Sequence, residues 1–106
     1  MLTEKGTLPI GVEYDGQTHK DFEIREQLVR DTVAVYDNPD QATRAAVNDA
    51  YAGVCILANQ IVSLGAIPRE AITADMVLDM NQEDFKALTD ATKRLEERRK
   101  SFRTEA

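Results

Sequence analysis

Residues 10–25 read IGVEYDGQTHKDFEIR, two runs of alternating apolar and polar residues that meet at Asp15-Gly16. Alternation with a period of two is the pattern of a β-strand that buries one face. Asp and Gly tolerate the positive φ angles that a two-residue hairpin turn requires. The stretch therefore predicts a β-hairpin over about residues 7–25, with strands at 8–14 and 18–25. Because a lone hairpin is marginal in water, the remaining chain has to provide a surface for it.

The two predicted strands differ in how well they suit the middle of a sheet. Pro9 cannot donate to a strand ladder, and Gly11 indicates a bulge or a close backbone contact, so the first strand is expected at an open sheet edge. In the second strand, Phe22 and Ile24 form the apolar face, and His19 falls on the opposite, outer face. The first strand places four side chains on its apolar face: Leu8, Ile10, Val12 and Tyr14.

From Glu26 onward the apolar residues recur at helical spacing. The predicted segments are a short helix ending at Asp37-Asn38-Pro39, a long helix from near Asp40 to Gly65, a short turn capped by Thr73, and a final helix capped by Asn81. The long helix is rich in alanine, so its small side chains would let another helix approach closely. The fold class predicted is α+β, a single domain over 1–106 in which an N-terminal β-hairpin packs on a mainly helical bundle of three to four helices. The helical part spans about 26–102, and the C-terminal tail is expected to fray or to be ordered by a partner.

Composition and charge exclude several function classes. The chain has 106 residues and a formal net charge of −6, which disfavours a general affinity for nucleic acid or an anionic membrane. No apolar run approaches the ~20 residues of a membrane span, and the N-terminus lacks the pattern of a secretory signal. The single cysteine agrees with a reducing compartment. These features predict a cytoplasmic protein that binds neither nucleic acid nor membrane.

The C-terminal stretch 93–106, KRLEERRKSFRTEA, is locally basic. Two interpretations stay open: a solvated helix end favoured by the helix dipole, or a nucleic-acid-binding patch, which the acidic body of the chain opposes. The basic residues concerned are Arg94, Arg98, Arg99, Lys100 and Arg103.

Side chains that carry chemistry are few. His19 and Asp21 have no nearby nucleophile to activate, which favours a surface histidine. Cys55 has no basic residue within a helical turn, so it is expected to pack as a small apolar group. Phosphate-binding, dinucleotide-binding and hydrolase motifs are missing, as are ligands at metal-site spacing. The sequence thus predicts no enzyme, no catalytic residues, no cofactor and no metal.

Apolar residues between the two main helices remain to be explained: Ile67, Ile72, Met76, Val77 and Met80. Two interpretations are open for this cluster. It either closes the bundle, or it forms part of a groove for a partner, since methionine adapts to irregular surfaces.

Three features together resemble the tail assembly chaperones of Mu-like and related contractile-tail phages and prophages. They are the early hairpin GTLPIGVEYDGQTHKDFEIRE, the link VSLGAIP, and the acid-capped final helix NQEDFKALTDATKRLEERR. The resemblance implies a non-enzymatic chaperone that binds the phage tape measure protein in the host cytoplasm and keeps it soluble until the tail tube assembles. The alternative function is a structural or adaptor subunit that is retained in the phage tail.

The resemblance and the pattern lead to two hypotheses about surfaces. Partner binding is assigned to Leu57, Ile61, Leu64, Ile67, Met76 and Met80. Self-association into a homo-oligomer is assigned to the first strand, through Leu8, Ile10, Val12 and Tyr14.

Overall fold

The computed structural model describes the backbone of residues 1–105 and the side chains of residues 1–102. It has an α+β fold, as predicted. The elements are, in chain order, β1 (Thr3–Tyr14), β2 (Gln17–Arg25), α1 (Val29–Asp37), α2 (Pro39–Val47), α3 (Asp49–Gln60), β3 (Ile61–Leu64), a 3₁₀ turn (Arg69–Ala71), α4 (Ala74–Leu78) and α5 (Gln82–Glu105).

The predicted hairpin is confirmed. β1 and β2 pair antiparallel, with Tyr14 opposite Gln17 across the turn. Asp15 and Gly16 have φ angles of 51° and 76°, the positive values of a type I′ turn. The turn twists the two strands in the direction that a right-handed sheet requires.

A bulge of four residues interrupts β1 and changes which of its side chains are buried. Thr7 pairs with Asp21 and Val12 pairs with His19, so residues 8–11 stand opposite Lys20 alone. Leu8 is buried in the core, whereas Ile10 is 45% exposed. The prediction that Leu8, Ile10, Val12 and Tyr14 share one face is therefore wrong, because the extra residues shift the alternation.

A third strand completes the sheet where a helix was predicted. β3 pairs antiparallel with β2, with Leu64 opposite Phe22, and the strand order is β1-β2-β3. The predicted long helix is broken at Asn48, whose side chain accepts a hydrogen bond from the Tyr51 N–H and caps α3. The helix then ends at Gln60. β-Branched Ile61 and Val62 suit a strand, and β3 occupies the free edge of β2.

α5 crosses the sheet and anchors the bulge. Its residues Leu88, Ala91 and Leu95 are buried in the core. Asn81 caps its start as predicted, by accepting a hydrogen bond from the Glu83 N–H. Asp84, which has no exposed surface, accepts hydrogen bonds from the amides of Ile10 at 2.9 Å and Gly11 at 3.0 Å. Two backbone N–H groups that the bulge removes from the ladder are thereby satisfied.

The C-terminal half of α5 is held to the sheet by ion pairs. Arg94 and Arg98 each lie 2.8 Å from the Glu4 carboxylate, and Arg98 also donates to the Thr3 carbonyl. Arg99 pairs with Glu26. These contacts join residues 94–99 to other parts of the same chain, and the expectation that the tail frays or is ordered by a partner stays a prediction. The Arg103 side chain and residue 106 lie outside the described part of the chain.

The core lies between the sheet and the helices, and includes Phe22, Ile24, Val35, Leu57, Ile61, Leu64, Leu88 and Leu95. Cys55 is buried there, which confirms its predicted packing role. The cluster before α5 divides: Ile67, Ile72 and Val77 are buried and close the bundle, whereas Met76 and Met80 are half-buried.

Candidate partner-binding groove

A groove of about 910 Å³ opens between α3 and α5, and we call it the α3/α5 groove. α5 packs mainly on β1 and β2, whereas α3 packs on α1, α2 and α4, so few contacts join α3 directly to α5. The residues that line the groove are Glu26, Gln27, Asp49, Ala50, Gly53, Val54, Ile56, Leu57, Gln60, Val77, Leu78, Met80, Gln82, Phe85, Thr89, Thr92, Leu95, Glu96, Arg99 and Lys100.

The α3 wall is built from small and aliphatic residues. Ala50, Gly53, Val54 and Leu57 recur at helical spacing along it, which places them on one face of α3. Gly53 is exposed, and a Cβ atom added there would meet nothing within 4 Å. The wall therefore leaves room for another helix to come close to the α3 backbone.

The α5 wall presents Phe85, Thr89 and Thr92 toward the groove. The Thr89 hydroxyl donates to the Lys86 carbonyl, and the Thr92 hydroxyl donates to the Thr89 carbonyl. Because both hydroxyls find partners within the helix, they place no unsatisfied polar group in the groove. An apolar partner can cover this wall without leaving a buried hydroxyl unpaired.

One end of the groove is closed by charged groups. Arg99 pairs with Glu26, and the Glu26 carboxylate also accepts a hydrogen bond from the Leu2 N–H at 3.0 Å. These contacts, with the Arg99 hydrogen bond first, lower the pKa of Glu26 below its usual value. Gln60 lies at the same end, where it donates to the Arg25 carbonyl. Asp49 marks the other end, at the start of α3.

The side chains predicted to bind a partner do not lie on one surface of the structure. Met80, which is half-buried, lines the groove, and Leu57 lies at its base as part of the core. Ile61, Leu64 and Ile67 are buried in the core, so the prediction that they offer a partner surface is wrong. They face inward because β3 pairs with β2 where a helix was predicted. Met76 is half-buried and is not among the groove residues.

The residues predicted to mediate self-association also differ in their exposure. Leu8 is buried and unavailable, whereas Ile10 is exposed and Val12 and Tyr14 are half-buried. β1 is an edge strand, as predicted. Its bulge, Pro9 and the hydrogen bonds from Ile10 and Gly11 to Asp84 blunt this edge in the way that proteins avoid strand addition.

Sequence reasoning missed the central groove residues Ala50, Gly53 and Phe85. The available signal was the run of small residues in α3, which predicted close approach of another helix. Among the helices that the structure describes, none fills that place. Asp84 was also missed as a contact between α5 and β1, because the pattern explained it as a capping acid alone.

The histidine and the arginines considered above for catalysis or nucleic-acid binding make contacts within the chain. The prediction that His19 lies on the surface is wrong: it is buried, its Nδ1 accepts from the Ala66 N–H, and its Nε2 donates to the Tyr14 carbonyl. Among the described residues, acids, histidine and cysteine form no group able to hold a metal ion. Three of the five basic residues considered for nucleic-acid binding, Arg94, Arg98 and Arg99, pair with carboxylates of the chain itself.

Comparisons with family models, curated proteins and solved structures give no match to this chain. Over the part that the structure describes, each helix is too short or too polar to cross a membrane.

Proposed function

We propose that this chain is a phage tail assembly chaperone without enzymatic activity. It binds helical segments of the tape measure protein in the α3/α5 groove and keeps them soluble in the host cytoplasm until tail-tube subunits assemble. The observation that carries the proposal is the open groove, whose α3 wall combines Ala50, Gly53 and Val54. The resemblance of the hairpin and the final helix to this chaperone family supplies the identity of the client.

A long amphipathic client needs a partner that covers its apolar stripes. Its apolar stripes associate with one another when they are left exposed. A groove between two helices accepts one such stripe at i, i+3, i+4 and i+7 spacing. The net charge of −6 on each chain makes the complexes repel one another and so keeps them soluble.

The test is co-expression with the tape measure protein encoded near this gene. Wild-type chaperone is expected to keep the client in the soluble fraction and to co-purify with it. Gly53→Gln places a side chain in the groove at a position with free space, so it should lose most of the soluble client. Ala46→Gln, an exposed change on α2 away from the groove, is the matched control and should behave as wild type.

Two results would contradict the proposal. One is an insoluble client in the presence of the wild-type chain. The other is stoichiometric recovery of the chain from purified phage tails, which would favour a structural or adaptor subunit.

A further inference from the structure

α1 presents an apolar stripe that the described residues leave largely exposed. Val29, Val33 and Tyr36 are 82%, 49% and 47% exposed. Their spacing of i, i+4 and i+7 places them on one face of the helix. The buried residues of α1, Asp31 and Val35, lie on the opposite face. The stripe therefore faces away from the core. Three apolar side chains on one face form a contiguous patch, which a single exposed valine does not.

We propose that the α1 stripe of one copy docks in the α3/α5 groove of a second copy. The stripe spans about 10 Å along its helix axis, and the α3 wall is about 16 Å long, at about 1.5 Å per residue. One stripe thus fits within one groove. Its three side chains have the spacing of helix-in-groove anchors, and the small residues Ala50 and Gly53 allow the incoming helix to approach closely.

Charge favours one orientation of the docked helix. Exposed Arg30 flanks the stripe next to Val29, near the N-terminus of α1. Asp49 marks the groove end formed by the start of α3. With the incoming α1 parallel to α3, Arg30 of the guest lies toward Asp49 of the host, and the two opposite charges attract.

The contact is of the head-to-tail kind. None of the three stripe residues lines the groove, so every copy carries one free stripe and one free groove. Such a contact repeats from copy to copy and builds a ring or an open row. The inference goes beyond the proposed function, because it concerns the chain alone and makes a second copy a competitor of any client for the same groove.

The experiment is sedimentation velocity of the purified protein over a wide concentration range. Wild type is expected to associate as concentration rises. Val29→Ser with Val33→Ser removes the stripe, and Gly53→Gln blocks the groove; each change should weaken association at least tenfold. Both sites are exposed, so circular dichroism spectra should remain as in wild type and neither change should lower the free energy of unfolding; Gly53→Gln should raise it through helix propensity. Val47→Ser, at a valine that is equally exposed but off the stripe, is the control for lost apolar surface.

Mixing the two variants gives the decisive measurement. The stripe variant retains its groove and the groove variant retains its stripe, so together they should form a one-to-one dimer that grows no further. A wild type that stays monomeric at all concentrations would overturn the inference. Association that survives either variant, or a mixture without the dimer, would do the same.

The same variants separate this inference from the proposed function. The stripe variant should still keep the tape measure protein soluble, since its groove is intact. In the stripe variant, loss of self-association with retained client binding supports both ideas. Loss of self-association together with loss of client binding leaves the self-association inference standing and contradicts binding of the client through the groove alone.

Discussion

Gly11 and Gly65 have backbone conformations that other residues rarely adopt. Their φ angles are +99° and +53°. A Cβ atom on Gly11 would lie 2.7 Å from Thr18 Cγ2, and one on Gly65 would lie 2.6 Å from His19 Cβ. Gly11 thus allows the β1 bulge, and Gly65 allows the turn after β3 to close over the His19 ring. Both positions shape the sheet through the absence of a side chain.

The same substitution should have opposite effects at two glycines. Gly11→Ala is expected to lower the free energy of unfolding by about 2 kcal/mol, because it forces an alanine to a positive φ against β2. Gly53→Ala, in a helix with free space around it, should raise it by about 0.5–1 kcal/mol through helix propensity. Urea unfolding followed by circular dichroism measures both. A loss of stability in Gly53→Ala would show that α3 needs a glycine there.

The backbone conformation of some residues could be predicted from the sequence, whereas the burial of others could not. Asp15-Gly16 and Gly11 carry local signals, since positive φ angles leave few choices of residue. The sequence predicts a turn at the first and a bulge or a close backbone contact at the second. His19 was misplaced because its burial depends on Gly65 and Ala66, which lie far away in the chain. Local pattern contains no information about that contact.

Among the elements, the contact between α5 and the β1 bulge is the most specific. A carboxylate that receives two adjacent backbone amides, as Asp84 does from Ile10 and Gly11, forms charge-assisted hydrogen bonds. The helix start is thereby fixed to the point where β1 leaves its ladder. The bulge and the helix end stabilise each other.

Asp84→Asn should therefore be costly although it barely changes shape. An amide offers one oxygen to the two N–H groups, and its own NH₂ faces one of them. We expect a loss of about 2 kcal/mol in the free energy of unfolding. Glu83→Gln, an exposed neighbour, should change it by less than about 0.5 kcal/mol. Chemical denaturation of both variants gives the comparison, and equal stabilities would show that the carboxylate charge contributes nothing.

Element boundaries were harder to predict than element types. The Thr73 and Asn81 caps were identified correctly, because a capping side chain and the amide it receives are close in sequence. The break at Asn48 and the strand β3 were missed. Residues 47–64 carry a helical apolar pattern throughout, and only pairing with β2, a contact distant in sequence, makes the last four residues a strand.

Across the whole molecule, three carboxylates in ion pairs with arginine join the sheet and the residues next to it to the helices. Hydrogen bonds from Arg94 and Arg98 lower the pKa of Glu4, and a hydrogen bond from Arg99 lowers the pKa of Glu26. Burial raises the pKa of Asp31, but hydrogen bonds from Arg25 and the Leu28 N–H outweigh it and leave the pKa below its usual value. Each carboxylate joins segments that are separate in the chain or at a helix start.

These shifts predict an acid-sensitive fold. A carboxylate whose pKa is lower in the folded chain stabilises it fully above the unfolded value of about 4, and this stabilisation is lost as pH falls through the folded value. Urea unfolding at several pH values should show stability declining from about pH 5 downward. The double change Glu4→Gln and Glu26→Gln should flatten that decline, while Glu97→Gln, on an exposed part of α5, should leave it unchanged. An equally steep decline in the double variant would rule these two pairs out as its cause.

The hydrogen bonds at the two ends of the chain have a practical consequence for any fusion protein. The Leu2 N–H donates to Glu26, Arg98 donates to the Thr3 carbonyl, and Arg99 pairs with Glu26 at the groove end. Residues 2–3 and 98–99 therefore sit side by side at the end of the groove that Arg99 and Glu26 close. A bulky affinity tag attached before residue 2 would emerge beside this end and hinder the occupant of the groove, so an insertion at the exposed Asp15-Gly16 turn is the better position for a label.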